Sequence, residues 1–295
     1  MSSQPDRPRP LVVVASPEMV ASSESYSPSA QKPAAVLADW QAHALPLDVR
    51  AVVPATVNEL CLAHDRAFVV DVLAGRRVNG FGNRSANVAA SLPFTTGAML
   101  TAARLVLTPG GPRAACAPVS GFHHAGHTEA GGFCTFNGLM VTALAILAER
   151  RARRVVILDC DHHYGDGTDD ILARVAASSD GIHHFTAGRT FSRPPHAPAF
   201  FEHLDRELAG LVGADLVLYQ AGADPHVNDP LGGWLTDEQL RQRDARVFAG
   251  AARLGVPLVW NLAGGYQRDA AGGIGPVLAI HRATAREHGR VFGGW

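Results

Sequence analysis

Five short, nearly unbroken apolar runs recur along this chain, at residues 11–15, 113–119, 155–159, 216–220 and 257–262. Runs of that length without polar alternation read as strands buried on both faces. Between them lie stretches with helical spacing of apolar residues, at 94–107, 137–150, 237–254 and 277–288. Strands of this kind alternating with helices predict a mainly parallel sheet covered on both sides, a single-domain three-layer α/β/α fold. A hydrophobic fraction of 47% over 295 residues is enough to fill such a core. No Pro/Ser-rich linker or charge run divides the chain, so residues 11–295 read as one domain behind a flexible N-terminal tail, residues 1–10.

The polar motifs share one address, the carboxyl end of a strand, which is where open α/β sheets bind ligands. After the third run comes Asp159-Cys160-Asp161-His162-His163-Tyr164-Gly165-Asp166-Gly167. Side chains alternate faces in extended backbone, so Asp159, Asp161 and His163 can project together. A carboxylate and an imidazole two residues apart can hold a divalent ion if a further ligand arrives from elsewhere. Asp224, directly after the fourth run, is the candidate. The paired His123-His124 follow the second run, and Gly264-Gly265-Tyr266 the fifth. Each motif has a plainer reading alone: Asp159 as a cap, the glycine pair as a tight turn, Tyr266 and Phe133 as core residues. Four motifs converging on one edge favour a site.

Taken together, residues 121–127 (Gly-Phe-His-His-Ala-Gly-His), 129–137, 159–167, 220–224, Asp229-Pro230-Leu231-Gly232-Gly233 and 262–266 resemble the zinc-dependent histone deacetylase family, including its bacterial acetylpolyamine amidohydrolase and acetoin utilisation branches. The resemblance covers roughly residues 118–266, and the first hundred residues match poorly. It implies an arginase/deacetylase-like fold in which Asp161, His163 and Asp224 bind zinc, though one histidine and two carboxylates could also accept iron(II), manganese or cobalt. It implies that His123 and His124 face the metal-bound water, backed by Asp159 and Asp166 respectively, that Tyr266 closes the site, that Phe133 forms one tunnel wall, and that the Gly132 backbone contacts the scissile amide. A structural K+ is implied near Asp159, Asp161 and His163, with Thr186 as a candidate to complete it. The activity implied is removal of an acetyl or other acyl group from an amine, either a peptide lysine or a small molecule such as an acetylated polyamine.

This chain departs from the pattern in places. Tyr164 stands where the family commonly repeats histidine, and residues 186–200 offer only Phe191 for the opposite tunnel wall. Residues 78–92 read as a long polar loop carrying asparagines where many relatives place an entrance aspartate. Two competing functions remain: a catalytically silent metal-binding module of the same fold, and an arginase-like ureohydrolase. The latter needs acids where this chain has Gly165 and His226.

Charge and cysteine use narrow the partners. With 26 basic and 27 acidic residues there is no electrostatic case for nucleic acid or an anionic membrane. The four cysteines, Cys61, Cys116, Cys134 and Cys160, have neither disulfide-framework nor Cys-x-x-Cys spacing and read as small buried side chains. No apolar run approaches a signal peptide's core or a membrane span, so a cytoplasmic protein is expected, with a homo-oligomer left open.

Overall fold

The computed structural model describes residues 8–175 and 178–295. Seven strands, all parallel, form its sheet: β1 (Leu11–Val14), β2 (Leu47–Arg50), β3 (Ala114–Ala117), β4 (Val155–Asp159), β5 (Ile182–Thr186), β6 (Leu216–Gln220) and β7 (Leu258–Asn261), in the order β2-β1-β3-β7-β6-β4-β5. The five continuous apolar runs became β1, β3, β4, β6 and β7, whose side chains are almost wholly buried. The strands not expected from the sequence, β2 and β5, are the two edges of the sheet. An edge strand has one neighbour and tolerates polar side chains, so Leu-Asp-Val-Arg and Ile-His-His-Phe-Thr lack the unbroken apolar signature.

The α-helices of the described residues are α1 (Lys32–Ala42), α2 (Val57–Leu60), α3 (Arg66–Leu73), α4 (Ala86–Val106), α5 (Gly138–Ala148), α6 (Asp166–Arg174), α7 (Ala197–Ala209), α8 (Asp237–Leu254) and α9 (Gly275–His288). Helix α8 has its expected limits because both ends are written locally. Thr236 and Gln239 form a reciprocal capping box, and Gly255 ends the helix in the left-handed region at φ 71°. Helix α4 corrects the expected loop at 78–92: the loop ends at Ser85, and the helix runs straight through Pro93 rather than starting after it. Burial of Val88, Leu92, Ala98, Met99, Ala102 and Ala103 against the core outweighs the backbone bond that Pro93 forfeits. Of the expected tail, residues 1–7 lie outside the described residues, and Arg9 donates its backbone N–H to Gly293 O at 2.9 Å.

Register sets the site. Asp159 at the end of β4 stands opposite Thr186 of β5 and Gln220 of β6, Gln220 opposite Asn261 of β7, and Asn261 opposite Ala117 of β3. Five strands therefore finish in one row, and the loops leaving them meet above it.

Candidate metal centre and active site

Beyond β4 the chain bends over residues 161–163 rather than staying extended, with Asp161 N–H donating to Asp159 Oδ1 and His163 N–H to Asp161 Oδ1, and this turn presents Asp161 and His163 to Asp224, which follows β6. Ligand-type atoms of these three side chains lie within 4.8 Å of one another, and they are the one such cluster of acids, histidines or cysteines among the described residues. His163 Nδ1 sits 3.0 Å from Asp224 Oδ2 and 3.3 Å from Asp161 Oδ1. The carboxylates are held from behind by backbone: Gly264 N–H donates to Asp161 Oδ2 at 2.8 Å and His162 N–H to Asp224 Oδ1 at 3.2 Å. Position 264 has to be glycine, because a Cβ there would lie 2.1 Å from Asp224 Oδ2.

The electrostatics are those of two buried acids sharing one imidazole. Burial and the charge of Asp161 push Asp224 above the usual carboxylate range; burial works the same way on Asp161, but His123 and His163 outweigh it and hold that group well below the range. Burial opposes charge on His163 too, yet its bonds to both carboxylates raise it to about 11. A cation is therefore favoured between these carboxylates.

The two candidate catalytic histidines lie beside this cluster, ring centroids 4.2 Å apart. His123 donates through Nδ1 to Asp159 Oδ2 at 2.7 Å, and His124 through Nδ1 to Asp166 Oδ1 at 2.6 Å. His123 Nε2 lies 3.7 Å from Asp161 Oδ1. Gly121 and Phe122, at φ 83° and 142°, turn the chain just before the pair, whose rings are tilted 57° to each other. Asp159 is fully buried, accepting also from Gln220 Nε2 at 3.0 Å, whereas Asp166 opens α6 at the solvent edge, where the helix N-terminus favours a negative charge. For His123, burial is outweighed by Asp159 and Asp161 and the ring is raised to about 9; for His124, burial and the charge of His123 prevail and the ring is lowered.

Phe133 adopts φ 63° and packs its ring 5.6 Å from that of Tyr266. Gly132, at φ 54°, lies so close to His124 that a Cβ would fall 2.4 Å from Cδ2. Tyr266 donates its backbone N–H to Asp229 Oδ2 at 2.7 Å, and burial among acids raises its phenol above the ordinary range, keeping it protonated. Thr186 accepts from Gly165 N–H at 3.0 Å. The candidate opposite wall, Phe191, is elsewhere: it is buried against Phe200, His203 and Trp234. Tyr164 belongs to a surface ion cluster, donating to Asp169 Oδ2 at 2.5 Å with the Arg189 guanidinium 4.6 Å over its ring. At the positions where an arginase-like second metal needs acids, Gly165 abuts Asp159 and His226 pairs with Asp237 at 3.2 Å. All four cysteines are free.

Residues that motif reading passed over also support the site. Lys32, fully buried, donates to Ala263 O at 2.5 Å in the turn before Tyr266; burial lowers it to about 8 against the pull of Asp224 and Asp161. It is the only lysine in the chain, a signal that was available in the sequence. His64 donates from Nδ1 to Gly126 O at 2.9 Å and accepts at Nε2 from Asn137 N–H at 2.8 Å, tying the His123-His124 loop to the start of α5. Arg243 reaches Cys160 O and Gly222 O at 3.1 and 2.7 Å, clamping the strand ends that bear the cluster.

A sheet of this order, with acids and histidines gathered at one edge, defines the arginase/deacetylase-like class. Within it the chain belongs to the histone deacetylase domain family, whose pattern matches residues 29–186 and so begins well before the expected start near residue 118. Acetylpolyamine amidohydrolase 1 of Pseudomonas aeruginosa is 30% identical over 178 residues, 51% of this chain and 50% of that protein. Acetoin utilization protein AcuC of Staphylococcus aureus is 31% identical over 161 residues, 46% of this chain and 41% of that protein. An uncharacterized protein of Picosynechococcus sp. is 28% identical over 220 residues, 68% of this chain and 71% of its own length. The chain thus spans about half the length or less of the two relatives with a described activity or pathway. The crystal structure of an acetylpolyamine aminohydrolase from Burkholderia pseudomallei superposes with a TM-score of 0.70 at 20% identity, covering 95% of this chain and 99% of that one, which establishes the shared fold. Among the described residues no helix is long and apolar enough to cross a membrane.

Proposed function

We propose that the protein is a zinc-dependent amidohydrolase that removes an acetyl or other acyl group from an amine in the cytoplasm. The observation that carries this reading is the meeting of the Asp161, His163 and Asp224 cluster with two imidazoles, each hydrogen-bonded to a carboxylate of its own. One ring nitrogen and two carboxylates suit zinc, and also iron(II), manganese or cobalt, and three protein donors leave a position open. The close turns at Gly222 and Gly264, where any Cβ would strike the ligand oxygens, fit a cradle shaped for an ion. An ion bound there would polarise an amide carbonyl and lower the pKa of a bound water from roughly 15.7 to about 7.

The chain's own groups supply the rest. With Nδ1 committed to Asp166, His124 has Nε2 free to take a proton from the attacking water and return it to the departing amine. The two rings have different surroundings, His123 buried between Asp159 and Asp161 and His124 beside Asp166 at the solvent edge, which supports a division in which His123 acts electrostatically. The Tyr266 hydroxyl donates to the oxygen on which negative charge develops. The Gly132 backbone contacts the amide and the Phe133 ring lines the approach. Thr186, beside Asp159 in the sheet, is offered with Asp159, Asp161 and His163 for a structural K+.

The name of one relative supports an acetylated polyamine as substrate, and the name of the family an acetylated histone-like peptide. The experiment is amine release by metal-quantified protein from an acetyl-lysine peptide and from an acetylated polyamine, with Tyr266→Phe as control. Tyr266-dependent release is expected. Absence of release from a broad acyl-amine panel, with stoichiometric zinc bound, would overturn the reading in favour of a silent metal-binding module.

A further inference from the structure

We propose that Tyr26 is the specificity-determining residue of the entrance, the ring along which the alkyl carrier of the acylated amine lies; this rests on the amidohydrolase reading. Tyr26 belongs to the segment between β1 and α1, outside every motif that defines the site. Its side chain is 65% exposed, although a phenol ring is one of the larger apolar surfaces a residue can present. The ring stands perpendicular to Phe133, with centroids 5.4 Å apart, and Phe133 in turn meets Tyr266 at 5.6 Å and Phe81 at 5.9 Å. Tyr26 is thus the outermost of a line of rings that begins at the proposed oxyanion donor.

The segment bearing it is fixed on several sides. Ala21 N–H donates to Ala30 O at 3.0 Å and closes the loop at its base. Asn83 Nδ2 donates to Ser23 O at 2.7 Å, and Arg268 donates to Tyr26 O at 2.7 Å while also holding Gly272 O at 2.7 Å. With the backbone fixed and the ring resting edge-on against Phe133, only side-chain freedom is lost when a ligand lies on Tyr26, so most of its contact is retained as affinity. Phe191, expected from the sequence as the opposite wall, is withdrawn into the core and supplies none. A methylene chain leaving the scissile amide therefore finds aromatic surface on the Phe133 and Tyr26 side. Phe133 is near enough to the amide to be met by any substrate; Tyr26 is met only by a long carrier.

The test uses the zinc-loaded protein, a long amide (N-acetyl-diaminopentane) and a short one (N-acetylethylamine), with binding measured by calorimetry and amine release measured separately. Tyr26→Ala should weaken binding of the long amide and raise its KM by about tenfold, with little change in kcat, and shift the short amide less than twofold. Tyr26→Phe, which keeps the ring, should restore the long-amide KM. Equal losses for both amides, or an unchanged long amide, would overturn the proposal. Tyr26-dependent binding without amine release would sink the amidohydrolase reading and leave Tyr26 only as a contact for a bound amide, whereas amine release with a Tyr26-independent KM would overturn the Tyr26 assignment alone.

Discussion

Asp224 stands 61 positions from His163, yet its oxygen and the imidazole nitrogen meet at 3.0 Å, so each is half of a contact that the other cannot make alone. Asp224→Ala should lower metal affinity by on the order of tenfold or more, because two protein donors remain where catalytic zinc sites keep three. Atomic absorption of the purified variant checks this, and full occupancy would remove Asp224 from the ligand set. Tyr266→Phe removes one hydroxyl and leaves the ring packed on Phe133; turnover should fall by roughly 10²- to 10³-fold with metal content unchanged. Undiminished turnover would take Tyr266 out of the mechanism. The closeness of Asp161 and His163 is a local property and so legible in the sequence, but extended-chain alternation is not its cause: the chain bends at 161–163, and Asp159 turns away to pair with His123. Lys32 was not legible by motif, since its acceptor, Ala263, lies 231 positions away and only the folded chain brings them together. Phe191 misled for the opposite reason: an aromatic residue in the right interval says nothing about which way a loop folds, and Phe200 and Trp234 draw it inward.

Among the elements, those whose signals sit within their own residues were read most closely. Helix α8 is the clearest case, and its cap can be tested directly: Thr236→Ala should cost about 1 kcal/mol of stability, read as a lower urea midpoint with an unchanged slope. An unaltered midpoint would mean that the capping box is dispensable. The edge strands β2 and β5 escaped because periodicity detects burial, and an edge is only partly buried. Helix α4 begins eight residues before the expected start at 94 and contains Pro93, a local penalty of a few kcal/mol that a long buried face overrides. The strap from His64 to Gly126 and Asn137 joins three separated segments, and a lone histidine in sequence carries no mark of such a role.

Taken as a whole, the molecule keeps several imidazoles neutral by burial. His64 and His184 are lowered to about 4 and His288 to about 3, from an ordinary value of 6.5. Their folded pKa values lie below the unfolded ones, so the unfolded chain takes up protons first, and their stabilising contribution, complete above about pH 6.5, is lost as pH falls toward 4. Urea midpoints of the metal-free protein should therefore drop across that interval, the three imidazoles outweighing the opposite effect of Asp224; a flat or rising profile would overturn this account. His64 makes the reason concrete, since its Nε2 accepts the Asn137 N–H and cannot do so once protonated. The interior position of Lys32 reaches beyond the site it supports. With that single ε-amine sealed in the core, the folded chain shows amine-directed reagents no lysine on its surface. Succinimidyl esters and aldehyde cross-linkers should leave every side-chain amine untouched until the protein unfolds, so labelling at position 32 would serve as a chemical clock for global opening.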